Sequence, residues 1–255
     1  MLDVDEELML DWMAKNVSNG AIELTAVGDF DADALIALVG KTFGALPDRK
    51  VAPYEPAASV TKLDFPDGTK RPIVLNHAGD PETASLRLYY PAPDASDLRT
   101  DRAMTLLRDM LQLRMTEVMR EEEGATYSPG VGQYNSRLYP GYGYVSAVME
   151  VKPEDIDVTA EKIRAVASEF AAGKMDADMF ERARKPLLEN LETSLENNGT
   201  WMNVLSRAQT DPVIVERFRT RDEMYQNLTL EEVKALAETL FQSDTAVEIH
   251  ILPET

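Results

Sequence analysis

Apolar positions Leu8, Met9, Trp12 and Met13 recur at helical spacing and predict an amphipathic helix over Glu6–Val17. Asn19-Gly20 ends it, and Ala21–Val27 then alternates as a strand does. Gly28-Asp29-Phe30-Asp31 turns the chain, with Asp31 placed to cap a second helix over Ala32–Phe43. One strand and two helices cannot close a core, so residues 1–46 read as the end of a unit rather than as a unit. Residues 47–59, with Pro47, Pro53 and Pro56, read as a linker.

From residue 60 onward the pattern describes a larger module, 60–255. Strands are predicted at Val60–Phe65, Pro72–Asn76 and Ala84–Tyr90, with Pro66-Asp67-Gly68 as a turn. A long helix follows over Asp97–Arg120, its residues Met104, Leu107, Met110, Leu111, Met115, Val118 and Met119 keeping to one broad face. Strands at Thr126–Asn135 and Tyr142–Val151 form a hairpin across Leu138–Gly141. Helices are predicted at Pro153–Ala172, Asp176–Glu196, Thr200–Thr210 and Arg221–Tyr225, with Pro186 expected to kink or split the second. Thr229-Leu230-Glu231-Glu232 is a capping box that opens a helix to Phe241, and Ala246–Leu252 is the closing strand. The helix, turn and strand from Glu231 to Leu252 repeat the series from Glu6 to Val27. Aligning Ile22-Glu23-Leu24 on Val247-Glu248-Ile249 gives an offset of 225 residues, a faint internal repeat.

Composition narrows the chemistry. The 255 residues, 44% hydrophobic and 28% charged, suit an ordinary globular chain, and no run of eighteen apolar residues suggests a membrane span. Net charge is 26 − 45 = −19, which argues against nucleic acid as a partner. The acidic start, Met1 to Glu7, does not resemble a secretory signal, and the compartment stays open between periplasm and cytoplasm. Without cysteine there is no disulfide, thiolate ligand or cysteine nucleophile. His77 and His250 fit neither H-x-x-E-H nor H-E-x-x-H, so no metal site is expected in this chain. His250 reads as a strand-face residue and His77 as part of a loop. Glu121-Glu122-Glu123 reads as a solvated turn.

Three segments resemble the pitrilysin/insulinase family of zinc peptidases (the inverzincins), in particular the bacterial pitrilysin-like zinc proteases. Leu24–Asp31 followed by Thr42-Phe43-Gly44-Ala45-Leu46-Pro47 is similar to the strand, "GD", helix and "FG-x-LP" that end a family module. Arg120–Ser128 is similar to R-E-x-x-G-x-x-Y-S, although Gly124 stands one position earlier than in some branches. Asn197, Trp201 and Leu228-Thr229 are similar to positions in the later modules. The resemblance implies an α+β fold, a mainly antiparallel sheet with helices on one face (the LuxS/MPP-like metallopeptidase module). This chain would supply the end of one module and the whole of the next.

The resemblance also implies a function. The chain would be the substrate-enclosing C-terminal region of a zinc endopeptidase that degrades unfolded peptides, inactive alone. Zinc would sit in the N-terminal half, the chain's main partner. Tyr127 would stabilise the oxyanion and, with Arg120, bind the peptide. Read from the residues alone, Arg120 also fits as a cation closing a helix, worth about 0.3–1 kcal/mol. Tyr127 fits as a half-buried strand aromatic. Tyr134, Tyr139, Tyr142 and Tyr144 fit either a peptide cleft or hairpin packing. Two other functions remain open: a scaffold or assembly subunit of the same superfamily, and a standalone module whose sheet edge captures peptide.

Overall fold

Strand β2 (Ala84–Ala92) organises the larger of two units, because its side chains alternate without a break. Ala84, Leu86, Leu88, Tyr90 and Ala92 are buried, while Ser85, Arg87, Tyr89 and Pro91 are half-buried on the other face. The computed structural model describes residues 5–49, 62–120, 129–209, 211–242 and 244–254. The units are Met1–Pro56 with Thr193–Arg219, and Ala57–Glu192 with Thr220–Thr255.

The larger unit holds a five-stranded sheet. Beside β2 lie β1 (Ile73–His77), β3 (Gly130–Asn135), β4 (Gly143–Val151) and β5 (Val247–Pro253), in the order β1-β5-β2-β4-β3. Three of the four pairings are antiparallel, but β1 and β5 run parallel, Ile73 opposite Ile249. The sheet is thus mixed, with an antiparallel majority. The parallel pair arises because the closing strand inserts between β1 and β2, a long-range placement that alternation within a strand cannot encode.

Three helices cover the buried face. Helix α3 (Leu98–Arg120) contributes Met104, Leu107, Met110, Leu111, Met115 and Met119. Helix α4 (Ile156–Ala171) adds Ile156, Ala160, Ile163, Val166, Ala167 and Phe170. Further along, α5 (Ala177–Ser194) remains one helix through Pro186, so the expected split is absent. The short α8 (Arg221–Asn227) follows α6 (Asn198–Leu205) and α7 (Pro212–Arg219), which belong to the other unit. Helix α9 (Leu230–Leu240) adds Val233, Ala237 and Leu240 to the core, and its capping box is present as the sequence predicts. Arg99 reinforces that cap: it pairs with Glu232 and donates to the Asn227 carbonyl at 2.9 Å. The Arg99 and Thr229 hydrogen bonds hold the Glu232 carboxyl down at about 2.

The predicted strand at Val60–Phe65 is not observed from Lys62 onward. This stretch is fixed by turn contacts instead. Thr69 N–H donates to Ala246 O (2.9 Å), and Thr69 Oγ1 accepts from Glu248 N (3.0 Å). Gly68 approaches closely here, since a Cβ would fall 1.9 Å from Asp244 O.

The smaller unit contains α1 (Glu6–Asn19), α2 (Ala32–Lys41), α6 (Asn198–Leu205) and α7 (Pro212–Arg219). Asp31 caps α2 by accepting from Ala34 N at 2.8 Å. Ala21–Val27, expected as a strand, has no ladder partner among the described residues. It is tied by Thr25 Oγ1 to Leu205 O (3.2 Å) and by Glu23 accepting from Gln209 N (3.0 Å). Trp201 donates to Leu195 O at 2.8 Å and stacks edge-on against Phe218, centroids 5.2 Å apart. Apolar residues remain open to solvent, among them Leu8, Trp12, Val17 and Ile36, each at least 60% exposed.

Candidate functional site

The site is built where α3 ends and the β3–β4 hairpin begins. Helix α3 closes at Arg120, whose backbone alone is described. Tyr127 and Glu121-Glu122-Glu123 lie outside the described residues. The core anchors this end of the helix through Met115 and Met119, 0% and 4% exposed. On the hairpin side, Pro129 is buried and Gly130 opens the edge strand β3.

Gln112, two turns before Arg120 on α3, grips that strand. Its Nε2 donates to Pro129 O (2.8 Å) and its Oε1 accepts from Val131 N (2.8 Å). Thr116 completes the arrangement, accepting from Nε2 (3.0 Å) and donating to the Gln112 carbonyl (2.7 Å). These partners fix which way the amide faces. Exchanging O and N would set two acceptors together at Pro129 and two donors at Val131. Gln112 also lines a cavity of about 490 Å³ between α3 and α5, with Asp109, Leu113, Arg182 and Leu187. Burial raises the Asp109 carboxyl, against the opposing pull of Arg108 at 3.1 Å.

On the sheet face away from the helices, the hairpin gathers tyrosines. Register places Tyr134 opposite Tyr144, their ring centroids 5.6 Å apart. Tyr89 meets Tyr144 edge-on at 5.4 Å, and Tyr142 bridges Tyr134 (6.2 Å), Tyr139 (6.3 Å) and Phe65 (6.4 Å). The cluster packs against itself, so these rings serve hairpin packing. Their outer members remain accessible, Tyr134 at 42%. Partial burial, and then the neighbouring phenols, raise the Tyr144 hydroxyl.

The hairpin turn is over-determined. Buried Ser136 accepts from Leu138 N (3.1 Å) and Tyr139 N (2.7 Å) through its hydroxyl. Asp94 accepts from Gly141 N, where φ is +73° and glycine is favoured. Hydrogen bonds from Ser96 and from the Gly141 backbone hold the Asp94 carboxyl below its ordinary value.

The two histidines do not offer a metal site. His77 Nδ1 accepts from Gly79 N (3.0 Å) while Nε2 faces Thr83 O (2.9 Å). His250 is 4% exposed, with Nε2 at 2.7 Å from Glu248 Oε1, and Glu248 is paired in turn with Arg164. No group of three or more His, Cys, Asp or Glu suited to a metal occurs among the described residues. These donors therefore do not fit a zinc ion. No helix among the described residues is long and apolar enough to cross a membrane.

Sequence reasoning singled out Arg120, Tyr127 and the hairpin tyrosines, but not Gln112. A lone glutamine within an amphipathic helix carries no periodic or motif signal, and its partners lie 17 and 19 residues away.

Residues 3–187 match the sequence profile of the family described as "Peptidase M16 inactive domain". No curated protein matches the chain. Solved structures share its fold. A protease from Helicobacter pylori has a TM-score of 0.69 at 16% identity, covering 89% of this chain and 54% of its own. A peptidase M16 inactive domain from Pseudomonas fluorescens has a TM-score of 0.70 at 19% identity, covering 100% and 59%. A point mutant of the ferredoxin protease FusC, solved in complex with Arabidopsis ferredoxin, has a TM-score of 0.69 at 15% identity, covering 99% and 27%. The chain thus spans little more than half the length of the first two, and about a quarter of the third.

Proposed function

Since the chain belongs to the peptidase M16 inactive-domain family, we propose that it is the non-catalytic, substrate-enclosing region of a zinc-dependent endopeptidase that degrades unfolded peptides. The observation that carries this reading is the match to the inactive domain over residues 3–187. The metal would be held by an N-terminal half outside this chain.

Residues 1–46 are the closing part of a preceding module, and residues 60–255 are the module that follows. The exposed apolar residues of α1 and α2, and the absence of any buried residue in α2, support this division. So does the repeat of helix, turn and strand at Glu231–Leu252, where the later copy inserts its strand into a sheet.

Within the site, Tyr127 donates its phenolic hydrogen to the oxyanion that develops on the scissile carbonyl. Arg120, protonated at every working pH, binds a substrate carbonyl with its fixed fork of donors. Both functions need hydrogen-bond donors brought to an extended peptide, and the sequence sets the two residues at opposite ends of an R-x6-Y segment. Losing one oxyanion donor lowers turnover by ~10²–10³.

The test is hydrolysis of a quenched fluorescent peptide library by the intact protein, wild type against Tyr127→Phe, with and without a chelator. Chelator-sensitive activity that falls at least tenfold in the variant is the expected result. An inactive but folded intact protein would instead support a scaffold subunit. The chain alone is expected to cleave nothing, and stoichiometric zinc retained by it after dialysis would overturn the assignment.

A further inference from the structure

We propose that the sheet face away from the helices carries a subsite for the C-terminal residue of an extended peptide. Arg87 takes the α-carboxylate, and the rings of Tyr89 and Tyr144 take an apolar or aromatic side chain. The peptide nature of the ligand rests on the functional reading above; the subsite itself lies within the larger unit.

Register lays these residues out in rows across the open face. Arg87 stands opposite Ile249 of β5 on one side and Val148 of β4 on the other, a guanidinium in an otherwise apolar row. The next row sets Tyr89 opposite Ser146, and Ser146 opposite Gly132 of β3. The row after it brings Tyr144 opposite Tyr134. Successive rows are about 7 Å apart, the rise of two strand residues. Gly132 bears no side chain, so the face dips between Arg87 and the tyrosines. Ser146 Oγ leans over this dip, where a Cβ on Gly132 would fall 2.9 Å from it.

Two polar groups open onto the dip without partners. Ser146 is 8% exposed, yet its hydroxyl has no hydrogen-bond partner among the described residues. A buried hydroxyl left unpaired is costly, and a ligand acceptor removes that cost. Arg87 Nε makes a 3.4 Å contact with Ser85 Oγ, while its two Nη groups have no partner among the described residues. Glu150, its diagonal neighbour on the side away from Ser146, forms no ion pair with it. Acidic residues outnumber lysine and arginine by 45 to 26 in this chain, so a cation left without a carboxylate is the exception. Guanidinium fork and hydroxyl both donate, and their complement is a carboxylate, which the fork meets with two parallel bonds.

A peptide carries carboxylates on its acidic side chains and at its C-terminus. At the C-terminus a single residue supplies both the carboxylate and the side chain that lies on the rings. An internal acid reaches the tyrosines only through a second residue two positions away, on the same face of the extended chain. Ordering that further stretch costs binding free energy, which favours the C-terminal residue. Tyr89 and Tyr144 meet edge-on at 5.4 Å, offering one ring face and one ring edge to an apolar or aromatic side chain. Hydrolysis releases an α-carboxylate at every cut, so under the functional reading the occupant is a cleaved peptide.

The experiment is fluorescence anisotropy of this chain with fluorescein-labelled Gly-Ser-Gly-Ser-Phe, as the free acid and as the C-terminal amide. The acid is expected to bind at least about tenfold more tightly, and added salt to narrow the difference. In Arg87→Met the acid is expected to bind no better than the amide. Arg87→Lys, which keeps the charge and loses the fork, should fall in between. Ser146→Ala is expected to weaken the acid by about threefold. Tyr144→Leu should reduce the advantage of the Phe-ended acid over a Gly-ended one. A further amide, Gly-Asp-Gly-Phe, offers an internal acid to the same rings and is expected to bind like the plain amide.

Equal binding of acid and amide would overturn the proposal. So would an acid preference kept by an Arg87→Met chain whose thermal unfolding matches wild type, or binding of the Asp-containing amide as tight as that of the acid. The assay involves no hydrolysis, so the two readings fail separately. An intact protein without peptidase activity, beside a chain that prefers the acid, would remove the peptidase and keep the subsite. An active peptidase whose chain binds acid and amide alike would do the reverse.

Discussion

Gly143 opens β4 at a point where three backbone oxygens converge. A Cβ there would lie 2.4 Å from Pro93 O, 2.8 Å from Tyr134 O and 3.0 Å from Ala92 O. All three belong to backbone, in or beside β2 and β3, so no side-chain rotation relieves the clash. Gly143→Ala must move β4 away from its neighbours by several tenths of an ångström, disturbing its register with Asn135 and Ala92. Overpacking of this kind costs about 2–3 kcal/mol. At roughly 2–4 °C per kcal/mol for a domain of this size, Tm falls by about 4–12 °C. Gly141, two residues earlier, is a control with a different physical cause. Nothing lies within 4 Å of its Cβ position, but φ is +73°, so Gly141→Ala pays only a left-handed backbone cost of about 1–2 kcal/mol. Gly141→Asn, better tolerated in that conformation, should cost less. Differential scanning calorimetry of the three variants should rank the losses Gly143→Ala, Gly141→Ala, Gly141→Asn. Equal or reversed losses for the two alanine variants would refute the close-approach argument, as would a Gly143→Ala Tm within about 1 °C of wild type.

Three further outcomes follow from the packing and the charges. The Glu232 carboxyl titrates at about 2 in the fold, below its ordinary 4.5, so its stabilisation is complete above pH 4.5 and is lost as pH falls toward 2. Arg99→Met should therefore cost about 1 kcal/mol at pH 6, allowing for the exposure of the pair, with a gap to wild type in urea midpoint that narrows as pH falls below 4.5 and closes only below about 2. Phe170→Ala removes a ring that is 0% exposed and packed edge-on against Phe241 at 6.2 Å; urea unfolding should show a loss of about 3–5 kcal/mol. Arg164→Met leaves buried Glu248 with His250 as its side-chain partner, and the half-exposed arginine limits the loss to about 1–2 kcal/mol, measured by the same unfolding at pH 7.

Features decided within a few residues were legible in the sequence. Asp31 caps α2 and Thr229 with Glu232 boxes α9, because each cap involves partners three residues apart. The alternation of β2 was equally readable, since one face of the sheet is dry and the other is not. Helix α7 was missed although its signal was present. Asp211 stands directly before Pro212, a capping acid and a first-turn proline, and Asp211 Oδ1 accepts from Val213 N at 3.2 Å. The errors at Ala21–Val27 and Lys62–Phe65 have a common origin: alternation records that a segment can join a sheet, while joining requires a neighbour that no local pattern supplies. The parallel seam of β1 with β5 was illegible for the same reason, since its partners are 176 residues apart, Ile249 less Ile73.

The candidate site divides along the same line. Arg120 and Tyr127 stand out because an R-x6-Y segment can be recognised from its order along the chain, whatever surrounds it. Gln112 does not, because its role depends on a strand that enters the sheet seventeen residues later, at a place fixed by the pairing of β3 with β4. A residue that contacts substrate tends to leave a local trace. A residue that ties two elements together is defined by its distant partner, and for Gln112 that partner is the backbone of Pro129 and Val131. The distinction is physical: a hydrogen bond between a helix and a sheet edge exists only once both have formed, so the Gln112 amide, held by Thr116, is defined by the fold and not by the order of residues around it.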